Sequence, residues 1–111
     1  MHPHAFVLAD NSGHIHMWSP GAQSLFGYTA DEATGRPLDL IVPLSHRDEH
    51  WAGFRAAMIS GIAKYDGQVM DLPVLCKDGS VLTFSTQLIF LRGARGDVIG
   101  ALGIFESQAD K

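Results

Sequence analysis

Between Ser45 and Gly61 the apolar positions recur at helical spacing: His50 is followed by Trp51, Phe54, Ala57 and Met58 at intervals of one, four, seven and eight. That spacing predicts an amphipathic helix with His50 in its apolar stripe, facing the interior. Gly61 is its natural C-cap, and Ser45 with Asp48 three residues on resembles a capping box, although Asp is shorter than the usual Glu or Gln. Upstream, Ala5 to Ala9 reads as a strand, Asp10-Asn11-Ser12-Gly13 as a tight turn and His14 to Trp18 as the returning strand of a hairpin. Ser19 caps a short helix with Pro20 at its first position, carrying Ala22, Leu25 and Phe26 inward before Gly27 stops it. A second small helix begins at Thr29 or Asp31 and ends at Gly35-Arg36-Pro37, and Leu38 to Val42 forms a brief apolar segment before Pro43.

Three further strands are expected: Gln68 to Cys76, Ser80 to Leu91, and Val98 to Ser107. Lys77-Asp78-Gly79-Ser80 and Gly93-Ala94-Arg95-Gly96 supply turn chemistry suited to hairpins. Alternation places Met70, Leu72 and Val74 on one face, and Leu82, Phe84, Thr86, Leu88 and Phe90 on one face of the next strand. Together these residues can wall an apolar pocket, and Ala101 and Gly103 on the last strand share a face that leaves room for a flat ligand. Two strands, several short helices and three more strands predict an α+β fold, a five-stranded antiparallel sheet with helices on one face.

Composition narrows the classes of function. The chain has 111 residues, 46% hydrophobic and 18% charged, enough for a single domain with one core and one internal pocket. A formal charge of -4 with scattered Lys and Arg offers no footprint for a phosphate backbone, so no nucleic-acid partner is expected. No apolar run is long enough for a membrane span, and Met1-His2-Pro3-His4 lacks the regions of a secretory signal. A soluble, cytoplasmic domain with no membrane partner is the expectation. The single cysteine, Cys76, agrees with a reducing compartment.

A histidine in an apolar stripe needs a partner for its ring nitrogens, either a protein hydrogen bond or a metal-bearing cofactor. Other constellations carry less. His46-Arg47-Asp48-Glu49-His50 fits the H-x-x-E-H pattern of certain zinc peptidases, but the late carboxylates, Asp97, Glu106 and Asp110, sit on a turn or at the chain's end, and Glu49 points away from the histidine face. His14 and His16 alternate as exposed polar positions, with His2 and His4 near the N-terminus. Cys76 lies at a strand end beside a turn, unlike the helical cysteine of flavin-adduct photosensors. Trp18, Trp51 and Tyr65 are candidates to stack on a flavin, a role that core packing competes with.

The run Asp10-Asn11-Ser12-Gly13, Trp18-Ser19-Pro20-Gly21-Ala22, Leu25-Phe26-Gly27-Tyr28, Gly35-Arg36-Pro37 and Lys77-Asp78-Gly79-Ser80 resembles a PAS sensor domain over essentially the whole of residues 1–111. Within that family, Val42-Pro43 through Arg47-Asp48-Glu49-His50 looks most like the haem-binding PAS domains of bacterial oxygen sensors. The resemblance implies haem b ligated by His50. Twenty residues on, where those sensors carry a distal arginine, this chain has Met70, whose thioether is itself a competent iron ligand. Phe54, Leu72, Leu88, Ala101 and Gly103 would line the cofactor. The family's basic residue for a haem propionate is replaced by Ala56, with Lys64 and Arg55 as the nearest substitutes. The resemblance thus implies a non-enzymatic sensor of redox state or of O2, CO or NO, acting as a homodimer on an effector or partner protein. The alternative is a cofactor-free or other small-ligand PAS module whose output is dimerisation.

Overall fold

The computed structural model describes residues 4–61 and 66–107. In chain order the strands and helices are β1 (His4–Asp10), β2 (Ile15–Trp18), α1 (Pro20–Phe26), α2 (Ala30–Ala33), α3 (Arg47–Ser60), β3 (Val69–Leu75), β4 (Val81–Arg92) and β5 (Val98–Ser107). Single 3-10 turns at Leu38–Leu40 and Leu44–His46 connect α2 to α3. The strands form one antiparallel sheet in the order β2-β1-β5-β4-β3. The last strand therefore lies in the middle of the sheet, beside the first.

Local chemistry accounts for most of the boundaries. Ser19 is extended and its Oγ accepts from the Ala22 amide at 3.2 Å and from the Phe6 amide at 2.8 Å, so one hydroxyl caps α1 and ties it to β1. Gly27 closes α1 in the left-handed region, at φ 96°, where a side chain would be strained. Thr29 opens α2 in a reciprocal capping box with Glu32. Gly61 ends α3 at φ 72°, as expected.

The expected capping box at Ser45 does not form. Pro43 initiates the 3-10 turn, which carries Ser45 and His46 directly into the helix; His46, at φ -109° and ψ -2°, is not in the extended conformation a side-chain cap requires. Ser45 Oγ instead meets His46 Nδ1 at 3.0 Å, and α3 begins at Arg47.

The contiguous core lies under α1 and α2. Phe26 packs edge-on against Trp18, Phe84 and Phe105, with ring centroids 5.6, 5.1 and 5.1 Å apart, and Ala5, Val7, Ile15, Ala22 and Ala33 close around them. Trp18 satisfies its indole by donating to the Tyr28 carbonyl at 2.7 Å. The buried residues of α3, Phe54 and Ala57, lie outside that cluster. The helix containing His50 thus covers a separate, less complete part of the sheet.

Candidate functional site

The stripe of α3 behaves as its spacing predicts. Phe54 and Ala57 are buried, and His50, Trp51 and Met58 are half-buried. The His50 ring lies between neighbouring aromatics, 4.8 Å from Trp51 edge-on and 5.9 Å from Phe54 in a stacked arrangement. Its Nδ1 is buried and has no hydrogen-bond partner. Burial pushes the imidazole below its ordinary pKa, and the Asp39 carboxylate works in the opposite direction. His50 is therefore a neutral imidazole at pH 7, the form that carries a lone pair for a donor or a metal, with one nitrogen unmatched by the chain around it.

Strand register brings the other expected lining residues to the helix-covered face of the sheet. Met70 pairs with Thr86 and Thr86 with Phe105, Leu72 pairs with Phe84, Leu88 with Gly103, and Phe90 with Ala101. Met70, Leu72, Leu88, Ala101 and Gly103 thus share one face, and α3 packs on β5. Apart from Gly103, these residues are only half-buried, as is Phe90. Over Gly103 the space is taken: a Cβ there would lie 2.7 Å from Cε1 of Phe105. The half-buried small residue on β5 is accordingly Ala101.

Three features escaped the sequence reading. One is the ring of Phe105 over Gly103. A second is the bond of Thr86: placed on this face by its alternation and fully buried there, it donates its hydroxyl to the Phe84 carbonyl at 3.0 Å. Asp39 accepts from Trp51 Nε1 at 2.6 Å through Oδ1, and its main-chain carbonyl accepts from Arg47 Nη2 at 3.2 Å. Neither contact of Asp39 has a periodic signature; the one trace is that Arg47 and Trp51 stand one helical turn apart.

Of two surface clefts, one borders this region. One of about 420 Å³ lies beside Trp51 and Phe54, rimmed by Ser12, Asp39 and Arg55. The other, about 550 Å³, lies between the C-terminal end of α1 and the β3–β4 turn, against Cys76, Lys77 and Leu82. Arg55 sits 6.0 Å over the Trp51 ring, and Ala56 is exposed.

The remaining candidates lie apart from this region or stand alone. His46 and Glu49 are exposed while His50 is half-buried, and among the described residues no three His, Cys, Asp or Glu side chains converge on a metal site. His14 Nδ1 meets Ser12 Oγ at 2.9 Å and His16 Nε2 meets Asp10 Oδ2 at 2.7 Å, both on the exposed β1–β2 hairpin. Cys76 is buried, which pushes its thiol pKa up. Trp18 belongs to the core. His2, Lys64, Tyr65 and Asp110 lie outside the described residues.

The five-stranded antiparallel sheet with capped short helices on one face is the architecture of a sensory domain of the PAS type. A family model described as the PAS fold matches residues 2–108, and the chain belongs to that family. Among curated proteins it is similar to the oxygen sensor protein DosP of Escherichia coli strain K12, 30% identical over 74 residues, 67% of this chain and 9% of that protein. It is also similar to an uncharacterized protein of Azorhizobium caulinodans, 31% identical over 78 residues, 69% of this chain and 11% of that protein. The chain thus spans 9–11% of the length of these relatives. Of solved structures, a PAS domain from Colwellia psychrerythraea superposes with a TM-score of 0.80 at 23% identity, over 97% of this chain and 88% of that one. The Drosophila melanogaster Cycle PAS-B domain with bound glycerol superposes with a TM-score of 0.68 at 11% identity, over 93% and 97%. At these identities the superpositions establish the fold alone.

Proposed function

We propose that this PAS domain is a haem-binding sensor in which His50 is the protein ligand to the iron, reporting redox state or a diatomic gas (O2, CO or NO) to a signalling partner. The observation that carries the reading is the buried, unpartnered Nδ1 of a neutral imidazole: an orphaned buried nitrogen costs about 1–3 kcal/mol unless something satisfies it. The likeness to an oxygen sensor over 67% of the chain points the same way.

The donor set fits haem b. When bound, haem would supply a redox-active iron able to take a diatomic gas. His50 offers the neutral imidazole, and Met70, on the same face of the sheet, offers a thioether where arginine stands in the sensors this segment resembles. Phe54, Leu72, Leu88 and Ala101 would supply an apolar surround; Gly103, expected beside them, lies under the Phe105 ring and would not reach the cofactor. Because Met70 belongs to β3, a change in what its thioether meets would be passed to the sheet, the route by which a signal would leave the domain.

A second reading, a cofactor-free interaction module, is favoured by Phe105 over Gly103 and by clefts that open outside the space between α3 and the sheet. Adding haemin to the purified protein separates the two. Stoichiometric uptake with an intense Soret band, abolished by His50→Ala, supports the sensor; a protein that never takes up stoichiometric haemin leaves the interaction module.

The partner we assign in either case is a second copy of the domain, seated on the outer face of the sheet, and the proposal places the domain in the cytoplasm. On that face Met17, Leu8, Leu102 and Ile89 form one apolar row across β2, β1, β5 and β4, and in the next row Phe6 and Ile104 are followed by the polar Gln87 and then Val69. Among the described residues no helix is long and apolar enough to cross a membrane.

A further inference from the structure

We infer that Asp39 is a positioning residue for His50, acting as a two-point anchor for the first turns of α3; the role toward haem rests on the sensor reading, and the anchor itself does not. Arg47 and Trp51 stand four residues apart, so they project from the same side of the helix. Both grip Asp39. Arg47 Nη2 donates to its main-chain carbonyl at 3.2 Å, and Trp51 Nε1 donates to its carboxylate at 2.6 Å. Arg47 Nε donates to the Val42 carbonyl at 3.1 Å, which fastens the same side chain to the connection that precedes the helix.

The rest of α3 is held lightly. Of its 14 residues only Phe54 and Ala57 are buried, and it has no side-chain N-cap. His50 sits between the two gripping residues and its ring contacts that of Trp51 at 4.8 Å. A helix with little buried surface needs a fixed point if a ligand on it is to hold one orientation, because an axial donor must be placed to within a fraction of an ångström. Asp39 provides that point from outside the helix, through its backbone as well as its side chain.

The experiment compares Asp39→Ala, Asp39→Asn and Trp51→Phe with the parent protein by amide hydrogen exchange without haem and by release of bound haem to excess apomyoglobin. Asparagine keeps an oxygen that accepts from the indole, and phenylalanine keeps the ring but not the donor. Exchange of the Trp51 to Arg55 amides should accelerate about tenfold in Asp39→Ala and in Trp51→Phe, with the β5 amides unchanged, and return to near the parent rate in Asp39→Asn. Haem release should follow the same order, with about tenfold faster loss from Asp39→Ala and rescue by Asp39→Asn.

Unchanged α3 exchange in Asp39→Ala overturns the anchor. Acceleration spread equally over β5 does so too, since it reports global unfolding. Accelerated exchange with unchanged haem release overturns the positioning role while leaving haem binding in place. A parent protein that takes up no haemin overturns the sensor reading and the role toward haem, and the exchange arm still decides the anchor.

Discussion

Trp51 lies against Gly13 so closely that a Cβ on the glycine would sit 2.4 Å from two carbons of the indole. The turn between β1 and β2 is therefore a seat for a side chain of α3, and Gly13 is fitted to it twice, by the missing side chain and by a φ of 84°. Replacing Gly13 by alanine should cost about 2–4 kcal/mol in urea denaturation followed by tryptophan fluorescence, combining left-handed strain with displacement of the ring. A loss below about 0.5 kcal/mol would show that the ring moves aside freely.

Phe26 centres the aromatic core. It meets three rings within 5.6 Å, and it is among the largest fully buried side chains of the protein. Phe26→Ala should destabilise by about 3–5 kcal/mol and Phe26→Leu by about half as much, since leucine refills part of the cavity. Equal losses from the two variants would mean that the ring geometry, rather than the volume, is what matters.

Asp10 links stability to acid. Its carboxylate accepts from Ser12 Oγ at 2.7 Å, from the Ser12 and His14 amides at 2.9 and 3.1 Å, and meets His16 Nε2 at 2.7 Å. The Ser12 hydroxyl leads these bonds in holding its pKa well below the usual carboxylate range, against a smaller upward push from desolvation. A carboxyl depressed in the folded state contributes stability above its unfolded pKa, about 3.9, and loses it as pH falls toward the folded value. Asp10→Asn should accordingly flatten the decline in stability between pH 5 and about pH 2.5, as measured by urea midpoints. An unchanged slope would remove Asp10 as the linked group.

Met70 tests the distal side of the proposed haem site. Met70→Leu should leave haemin uptake intact and convert a six-coordinate absorption spectrum to a five-coordinate one, because leucine keeps the apolar surround and removes the sulfur. An unaltered spectrum would take Met70 out of the axial role without touching His50.

The outer sheet face is tested at Met17 and Phe6, which are 47% and 40% exposed and so dispensable to the fold of one copy. Met17→Glu with Phe6→Glu should shift the sedimentation of the protein from dimer to monomer, at a change in unfolding free energy of the monomer below about 1 kcal/mol. Dimers that survive both charges would move the contact elsewhere.

The elements of this domain were legible in the sequence because each is a local matter. Period-two alternation located the strands, with β5 matching residue for residue at Val98–Ser107, and within each strand it grouped Met70 with Leu72 and Ala101 with Gly103, whereas the pairing register put those groups on one face of the sheet. Ser19, Gly27 and Gly61 marked helix ends because capping depends on a few adjacent residues. Ser45 misled because the same few residues also fit a 3-10 turn, and Pro43 together with the reach of Arg47 back to the Val42 and Asp39 carbonyls selects it. Only the tertiary structure decided the strand order β2-β1-β5-β4-β3, the grip of Asp39 on Trp51, the ring of Phe105 over Gly103 and the isolation of His50 Nδ1. Periodicity reports which way a residue faces on its own element. It carries no information on how two elements are set against each other, and whether a buried nitrogen finds a partner depends on that setting.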